Sequence, residues 1–305
     1  MPVRRPVRMP SRRPAAAALA LLALTATAAC GKSGSPSTGA DSARSTGYTV
    51  KTDAKLDGSP TFAAAKARGK LVIGAKADQP GLGFEDITTN TRNGFDIEIA
   101  RMVAADLGFS DSQIEWKTID SANRETALAG GQIDYYVGTY SINDKRKAQV
   151  SFAGPYYLAG QDLLVRKDNT DITGPESTKG RKVCTVTGST SVDTIRTYGA
   201  DVTTFGSYSS CVDKLITKDV DAVTTDDAIL KGYAAQNATQ LKVVGKPFST
   251  EKYGVGLNKD DKVLRAAIDD ALKAHEDNGD WKSAYDRTLG TSGSAAPQPP
   301  ALERY

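Results

Sequence analysis

Histidine is nearly absent from this chain. His275 is the only one among 305 residues, and it falls in a polar helical stretch, so a histidine-based metal site or catalytic triad is hard to assemble. Cysteine is scarce: Cys30, Cys184 and Cys211 are the three present, and none looks like a metal ligand. We therefore expect no metal and no cofactor. Neither charge sign is in real excess. The formal net charge is +3, and Arg4, Arg5, Arg8, Arg12 and Arg13 crowd the first residues. Setting those five arginines aside takes +3 to −2, so the pI of 8.6 belongs mostly to that segment. The remaining body has no basic surplus to suggest nucleic acid. The apolar run Ala15–Ala29 is too short to span a bilayer comfortably.

Arginines followed by a short apolar run read as a secretory signal peptide over 1–29. It ends Thr27-Ala28-Ala29-Cys30-Gly31. Small residues before a cysteine resemble the bacterial lipobox, which makes Cys30 the expected lipidation site and new N-terminus; a plain secreted protein is the alternative. Residues 30–55, rich in Ser, Gly, Thr, Ala and Lys without period, read as a flexible tether from the membrane. Residues 291–305, with Ser-Gly-Ser-Ala-Ala-Pro-Gln-Pro-Pro, read as a disordered tail. Export leaves Cys184 and Cys211 as an even pair in an oxidising compartment. A disulfide between them would contribute about 3–4 kcal/mol in the chain-entropy model; two free buried thiols are the alternative.

What is present centres on Asp134 to Arg146. A short strand, Tyr135 to Val137, breaks at Gly138. Thr139 and Ser141 follow two apart, so in extended chain both hydroxyls face one way. Asn143 or Asp144 can cap a helix with Arg146 in or near its first turn. Hydroxyls, free backbone N–H groups and a two-pronged guanidinium would then converge where a carboxylate could sit. The plainer reading is a strand, a polar turn and an arginine on a solvated face. Around this stretch, strand, loop and helix alternate twice, from Leu71 to Arg146 and from Leu163 to Val244, which argues for two α/β units with parallel sheets. Two closing helices, about Val263 to Asn278 and Trp281 to Leu289, have no strands of their own and are expected to return to the first unit. That predicts lobe 1 over 56–160 and 251–290, lobe 2 over 161–250, and two crossings flanking a cleft.

Several stretches together carry a resemblance. Gly94-Phe95-Asp96-Ile97-Glu98-Ile99-Ala100, Asn123-Arg124, Gly138-Thr139-Tyr140-Ser141, Arg146, Phe152-Ala153-Gly154-Pro155-Tyr156-Tyr157 and Asp221-Ala222-Val223-Thr224-Thr225-Asp226 resemble family 3 extracellular solute-binding proteins, the polar amino-acid receptors of ABC importers. The likeness runs from about Leu56 to Leu289. Lys76 to Gly83 and Thr224 to Leu230 look like the actinobacterial glutamate-binding lipoproteins, and Cys184 and Cys211 fit that subgroup. The resemblance implies an α/β, two-lobe periplasmic-binding-protein-like fold with a hinge and an interlobe ligand cleft. It implies Arg146 on a ligand α-carboxylate with Thr139 and Ser141 beside it. Asp226 would take the α-ammonium, unless it merely caps the helix that follows. Ser189 and Thr190 would offer N–H and hydroxyl groups from lobe 2. Partners would be L-glutamate or a related polar amino acid, permease subunits, and the membrane through the lipid anchor; we expect a monomer.

Which amino acid is a question of charge. Arg124 and Lys76 are further cations that could face the cleft. Counting Arg146, Arg124 and Lys76 against Asp226 leaves about +2, which suits an acidic ligand such as glutamate; aspartate and glutamine stay open. The same fold supports prephenate or arogenate dehydratases, for which Asp226 or Glu125 would have to serve as general acid. The amino-acid clamp and the anchor favour binding over catalysis.

Overall fold

The computed structural model describes residues 47–305. Cys30, the expected signal peptide and the start of the expected tether lie outside them. From the N-terminus the chain forms α1 (Pro60–Arg68), β1 (Leu71–Ala75), β2 (Asp78–Gln79), β3 (Gly83–Asp86), β4 (Thr91–Asn93), α2 (Phe95–Asp106), β5 (Ile114–Thr118), α3 (Arg124–Ala129), β6 (Tyr135–Tyr136), α4 (Asp144–Lys147) and β7 (Ser151–Ala159). There follow β8 (Gln161–Arg166), β9 (Lys182–Val186), α5 (Thr190–Thr197), β10 (Asp201–Phe205), α6 (Tyr208–Ile216), β11 (Ala222–Asp226), α7 (Asp227–Gln236) and β12 (Leu241–Val243). Last come β13 (Glu251–Leu257), α8 (Lys262–Asp277) and α9 (Asp280–Arg287).

Two five-stranded sheets result, in the orders β5-β1-β6-β13-β7 and β10-β9-β11-β8-β12. β1 runs parallel to β5 and β6, and β9 runs parallel to β10 and β11. The expectation of purely parallel sheets is corrected at the other strands. β13 is antiparallel to β6 and β7, and β8 is antiparallel to β11 and β12. The cause is the double crossing. The chain leaves the first sheet along β7 and returns along β13, so these neighbours must oppose each other; β8 enters and β12 leaves the second sheet in the same way. At the first crossing a Cβ on Gly160 would stand 2.6 Å from Ser249 O, so only glycine lets the two crossing segments touch.

The helices follow their apolar spacing. In α8, Leu264, Ile268, Ala271, Leu272 and His275 are buried, a stripe at helical period, and Asp261 Oδ1 caps it from Leu264 N at 2.9 Å. The closing helices lie on the first sheet's unit: Trp281 Nε1 donates to Tyr156 O of β7 at 2.9 Å, and its ring stacks edge-on against Phe95 of α2. Cys184 of β9 and Cys211 of α6 form a disulfide, with Cα atoms 5.5 Å apart.

Both ends of the described chain are more fixed than composition suggests. Lys51 N donates to Ala105 O at 2.9 Å and Tyr48 Oη to Glu98 Oε2 at 2.7 Å, so the segment expected as tether is docked on α2 from there onward. The expected disordered tail has no helix or strand after a 3-10 turn at Leu289–Ser292, yet its last residues are held. Glu303 N donates to Gly154 O at 2.8 Å, Arg304 pairs with Asp270 at 2.7 Å, and Phe152 N donates to the Tyr305 hydroxyl at 2.9 Å. Pro and Ser dilute the composition of that tail, but its three final residues carry the groups that bind it down.

Candidate functional site

The lobes meet around a small, tightly closed polar pocket. Lobe 1 contributes Ser121, Arg124, Thr139, Ser141 and Arg146; lobe 2 contributes Ser189, Thr190, Ser191, Tyr208, Thr225 and Asp226. Seven of the eight residues expected at a ligand are thus on one wall or the other. Lys76 is the exception. It is buried, and its Nζ donates to Ser121 Oγ at 2.9 Å, one layer behind the cavity. Burial, then the neighbouring Arg124, push its pKa down to about 7.

Arg146 is placed by local rules. Asn143 caps α4, its Oδ1 accepting from Arg146 N at 2.9 Å, which fixes the first turn. The guanidinium donates through Nη1 to Ser141 O at 2.7 Å and through Nη2 to Gly188 O, across the cleft, at 3.0 Å. Its Nε stands 3.4 Å from Glu125 Oε1. Arg124 opens α3 and donates to Ser121 O at 3.1 Å and also to Gly188 O at 3.2 Å. Both guanidiniums lie over the Tyr140 ring, 4.2 Å (Arg124) and 5.0 Å (Arg146) from its centroid. Backbone carbonyls and a π-face thus orient two buried cations, and Glu125 offsets part of the charge on Arg146. Burial, then Arg124, lower the Arg146 pKa to about 10, which leaves it cationic at neutral pH.

Thr139 departs from the extended geometry expected of it. Its φ is 47°, in the left-handed region, so its side chain and that of Ser141 are not simply two apart on one strand face. The turn is held by Asp96, whose Oδ2 accepts from Thr139 N at 3.0 Å and whose Oδ1 accepts from Tyr156 Oη at 2.7 Å. Burial raises Asp96 to about 6. Sequence reasoning gave this residue no role; an acid at a helix start among Phe95, Ile97 and Ile99 was the available signal.

On lobe 2, Asp226 lies at the C-terminal end of β11, where open α/β sheets present ligand-facing groups. By position it is the N-cap of α7, yet its side chain makes no capping bond. Oδ2 instead accepts from Tyr253 Oη at 2.6 Å, and Oδ1 is buried with no hydrogen-bond partner among the described residues. Burial, then Glu251, raise its pKa to about 7. Ser189 caps α5 by position, and Thr190 Oγ1 donates to Glu251 Oε2 at 3.1 Å. Ser191 Oγ is a second buried polar atom on this wall without a partner among the described residues.

Besides Asp96, the residues missed were Ser121, Tyr140, Gly188, Ser191, Tyr208, Thr225 and Glu251. Gly188 brings the loop before α5 against lobe 1: its φ is +81°, and a Cβ there would meet Ala122 Cα at 2.7 Å. The charge count also changes. The ionisable groups on the wall are Arg124, Arg146 and Asp226, or +1 with all three charged, with Lys76, Glu125 and Glu251 standing outside them. Among the described residues no cluster of three or more metal-binding side chains occurs.

Two α/β lobes, crossed twice by the chain and closed over a small polar cavity with cations on one side and a bare carboxylate oxygen on the other, define a bilobal ligand-binding protein. Residues 71–291 match the profile of bacterial extracellular solute-binding proteins, family 3, and the chain belongs to that family. It is 38% identical over 256 residues to the glutamate-binding protein GluB of Corynebacterium efficiens, covering 80% of this chain and 87% of that one. It is 37% identical to a glutamine-binding protein of Geobacillus stearothermophilus over 81% of this chain and 92% of the other. An ancestral arginine-binding protein solved with arginine superposes with a TM-score of 0.69 at 35% identity, over 73% of this chain and 99% of that one. The family is one of binding proteins, and the dehydratase reading gains nothing from these relatives.

Proposed function

We propose that this protein captures an acidic amino acid, L-glutamate, outside the cell and delivers it to the permease of an ABC importer. The observation that carries this is the pairing of two buried guanidiniums on lobe 1 with the unpartnered Asp226 oxygen on lobe 2. Arg146 takes the α-carboxylate, helped by Thr139 and Ser141, and Asp226 takes the α-ammonium. Arg124 takes the side-chain carboxylate, with Ser189 and Thr190 closing from lobe 2. Lys76 supports this end electrostatically through Ser121. A wall of +1 is neutralised by glutamate, of net charge −1. Glutamine leaves it positive, and arginine would add a third cation beside two buried ones. The glutamate-binding relative at 38% identity supports this choice, and the glutamine-binding one at 37% supports an amino-acid ligand of this size without choosing between the two.

The test is calorimetry on ligand-stripped protein. Glutamate should bind more tightly than glutamine, aspartate or arginine. Arg146→Ala should weaken every amino acid by about 30- to several-thousand-fold, the cost of stranding a desolvated charge. Arg124→Gln should weaken glutamate strongly and glutamine less; equal loss for both would remove Arg124 as reader of the side chain.

We further propose that a monomer is held at the outer face of the membrane by acyl chains on Cys30. One chain binds only marginally, so more than one is expected. Cys30→Ala should move the protein from the membrane fraction to the medium, and unchanged fractionation would end the idea.

A further inference from the structure

The guanidiniums on Gly188 O are one bridge between the lobes. A second lies beside the cavity and uses different chemistry. Asp78 opens β2 in lobe 1. Its Oδ2 accepts from Tyr208 N at 2.8 Å and Ser209 N at 3.2 Å. These are the first N–H groups of α6 in lobe 2, donors that a helix cannot satisfy internally. The helix's own cap, Ser207, reaches only Ser210 N, at 3.3 Å. The Tyr233 hydroxyl of α7 donates to Asp78 O and lies 3.3 Å from Asp78 Oδ2. The opposite lobe thus supplies the anion that completes this helix end, a placement the helix dipole favours.

Asp78 is not on the cavity wall, but Tyr208 is, and the Tyr208 hydroxyl accepts from Thr225 Oγ1 at 2.6 Å. The bridge therefore seats a residue that walls the ligand space while touching no ligand position itself. We infer that Asp78 is a positioning residue for binding, an interlobe latch that caps α6 only when the lobes are together. It raises affinity for every ligand that closes the protein and does not choose among them. This rests on the binding reading proposed above.

The experiment uses the full chain with Asp78→Ala, Asp78→Asn and Tyr233→Phe, the last keeping the packing of α7. Dissociation constants and release rates for glutamate and glutamine are measured by calorimetry and stopped flow. Asp78→Ala should raise both constants about tenfold, through faster release, with their ratio unchanged. Tyr233→Phe should do the same to a smaller extent. An unchanged constant in Asp78→Ala, or a ratio shifted more than about threefold, overturns the latch, since the residue would then be idle or a ligand contact. A ligand-free arm separates this from failure of the binding reading. With the lobes held closed by an engineered interlobe disulfide, amide exchange at Tyr208 and Ser209, read by NMR, should be slower than in the same protein carrying Asp78→Asn, even if no amino acid binds. Equal exchange in the two proteins overturns the latch whatever the ligand proves to be.

Discussion

Asp226 holds one oxygen against Tyr253 and keeps the other bare, with its pKa raised to about 7 by burial and by Glu251. A carboxyl raised in the folded state favours the fold fully below its ordinary range near 4 and loses that contribution as pH climbs through about 7. Lys76, lowered to about 7, acts oppositely: its contribution is present above its ordinary range and lost as pH falls through about 7. The two windows adjoin near pH 7 and leave a stability minimum there, and the quantity that reports on the site itself is the proton count of binding. A ligand ammonium beside Asp226 stabilises the carboxylate and expels its proton. An anionic ligand near Lys76 draws a proton in. At pH 7 wild type should show partial cancellation, whereas Lys76→Met should show net proton release on binding glutamate. The measurement is calorimetric enthalpy against buffer ionisation enthalpy; a zero slope in Lys76→Met would mean that Asp226 does not receive the ammonium. At this scale, reading from sequence worked where the signal was local. The Asn143 cap and Arg146 lie within one turn, so spacing alone placed them. Lys76 misled because a residue on the wall and one a layer behind it differ only in tertiary packing. Tyr140 was passed over because nothing in its neighbours shows two guanidiniums arriving from α3 and α4 onto one ring.

Among the elements, the parallel strands and most helices were readable from their apolar spacing, whereas α1, with only Phe62 and Ala65 buried, was not. β7 was not recognised as a strand because Gly154-Pro155 lies inside it, and proline ordinarily argues against a sheet interior. Here β7 is the edge strand of its sheet, where a missing N–H is tolerated. The small sheet of β2, β3 and β4 was hidden in a Gly/Pro loop, and with it the position of Asp78. The cysteine pair was readable by count, and the structure adds what it joins: the second strand of lobe 2 to the helix whose N-terminus faces Asp78. Replacing both cysteines by alanine should destabilise lobe 2 by about 3–4 kcal/mol in the chain-entropy model. Urea unfolding of wild type and double variant, both ligand-free, checks this. A shift under about 1 kcal/mol would mean that the sheet and α6 hold together without the bond.

The lobes as wholes meet along seams so close that side chains are excluded. Gly232 lies inside α7, and a Cβ there would stand 2.2 Å from Pro80 O in lobe 1. Unlike Gly188, Gly232 does not occupy the left-handed region, so glycine there serves only the approach of the other lobe. Alanine in a helix interior is favoured over glycine by about 1 kcal/mol. Gly232→Ala should therefore leave lobe 2 as stable as before or slightly more so, while the added methyl collides with Pro80 whenever the lobes close. Overpacking of this kind costs about 1–3 kcal/mol. Charged against the closed state alone, that weakens glutamate and glutamine alike by about 5- to 150-fold. The ligand-free melting temperature should not fall. Small-angle scattering of the glutamate-saturated variant should show a larger radius of gyration than saturated wild type. If Gly232→Ala binds as tightly as wild type and contracts as far, the Pro80 seam yields without cost. Affinity would then be set by the cavity contacts and not by how closely the two lobes approach.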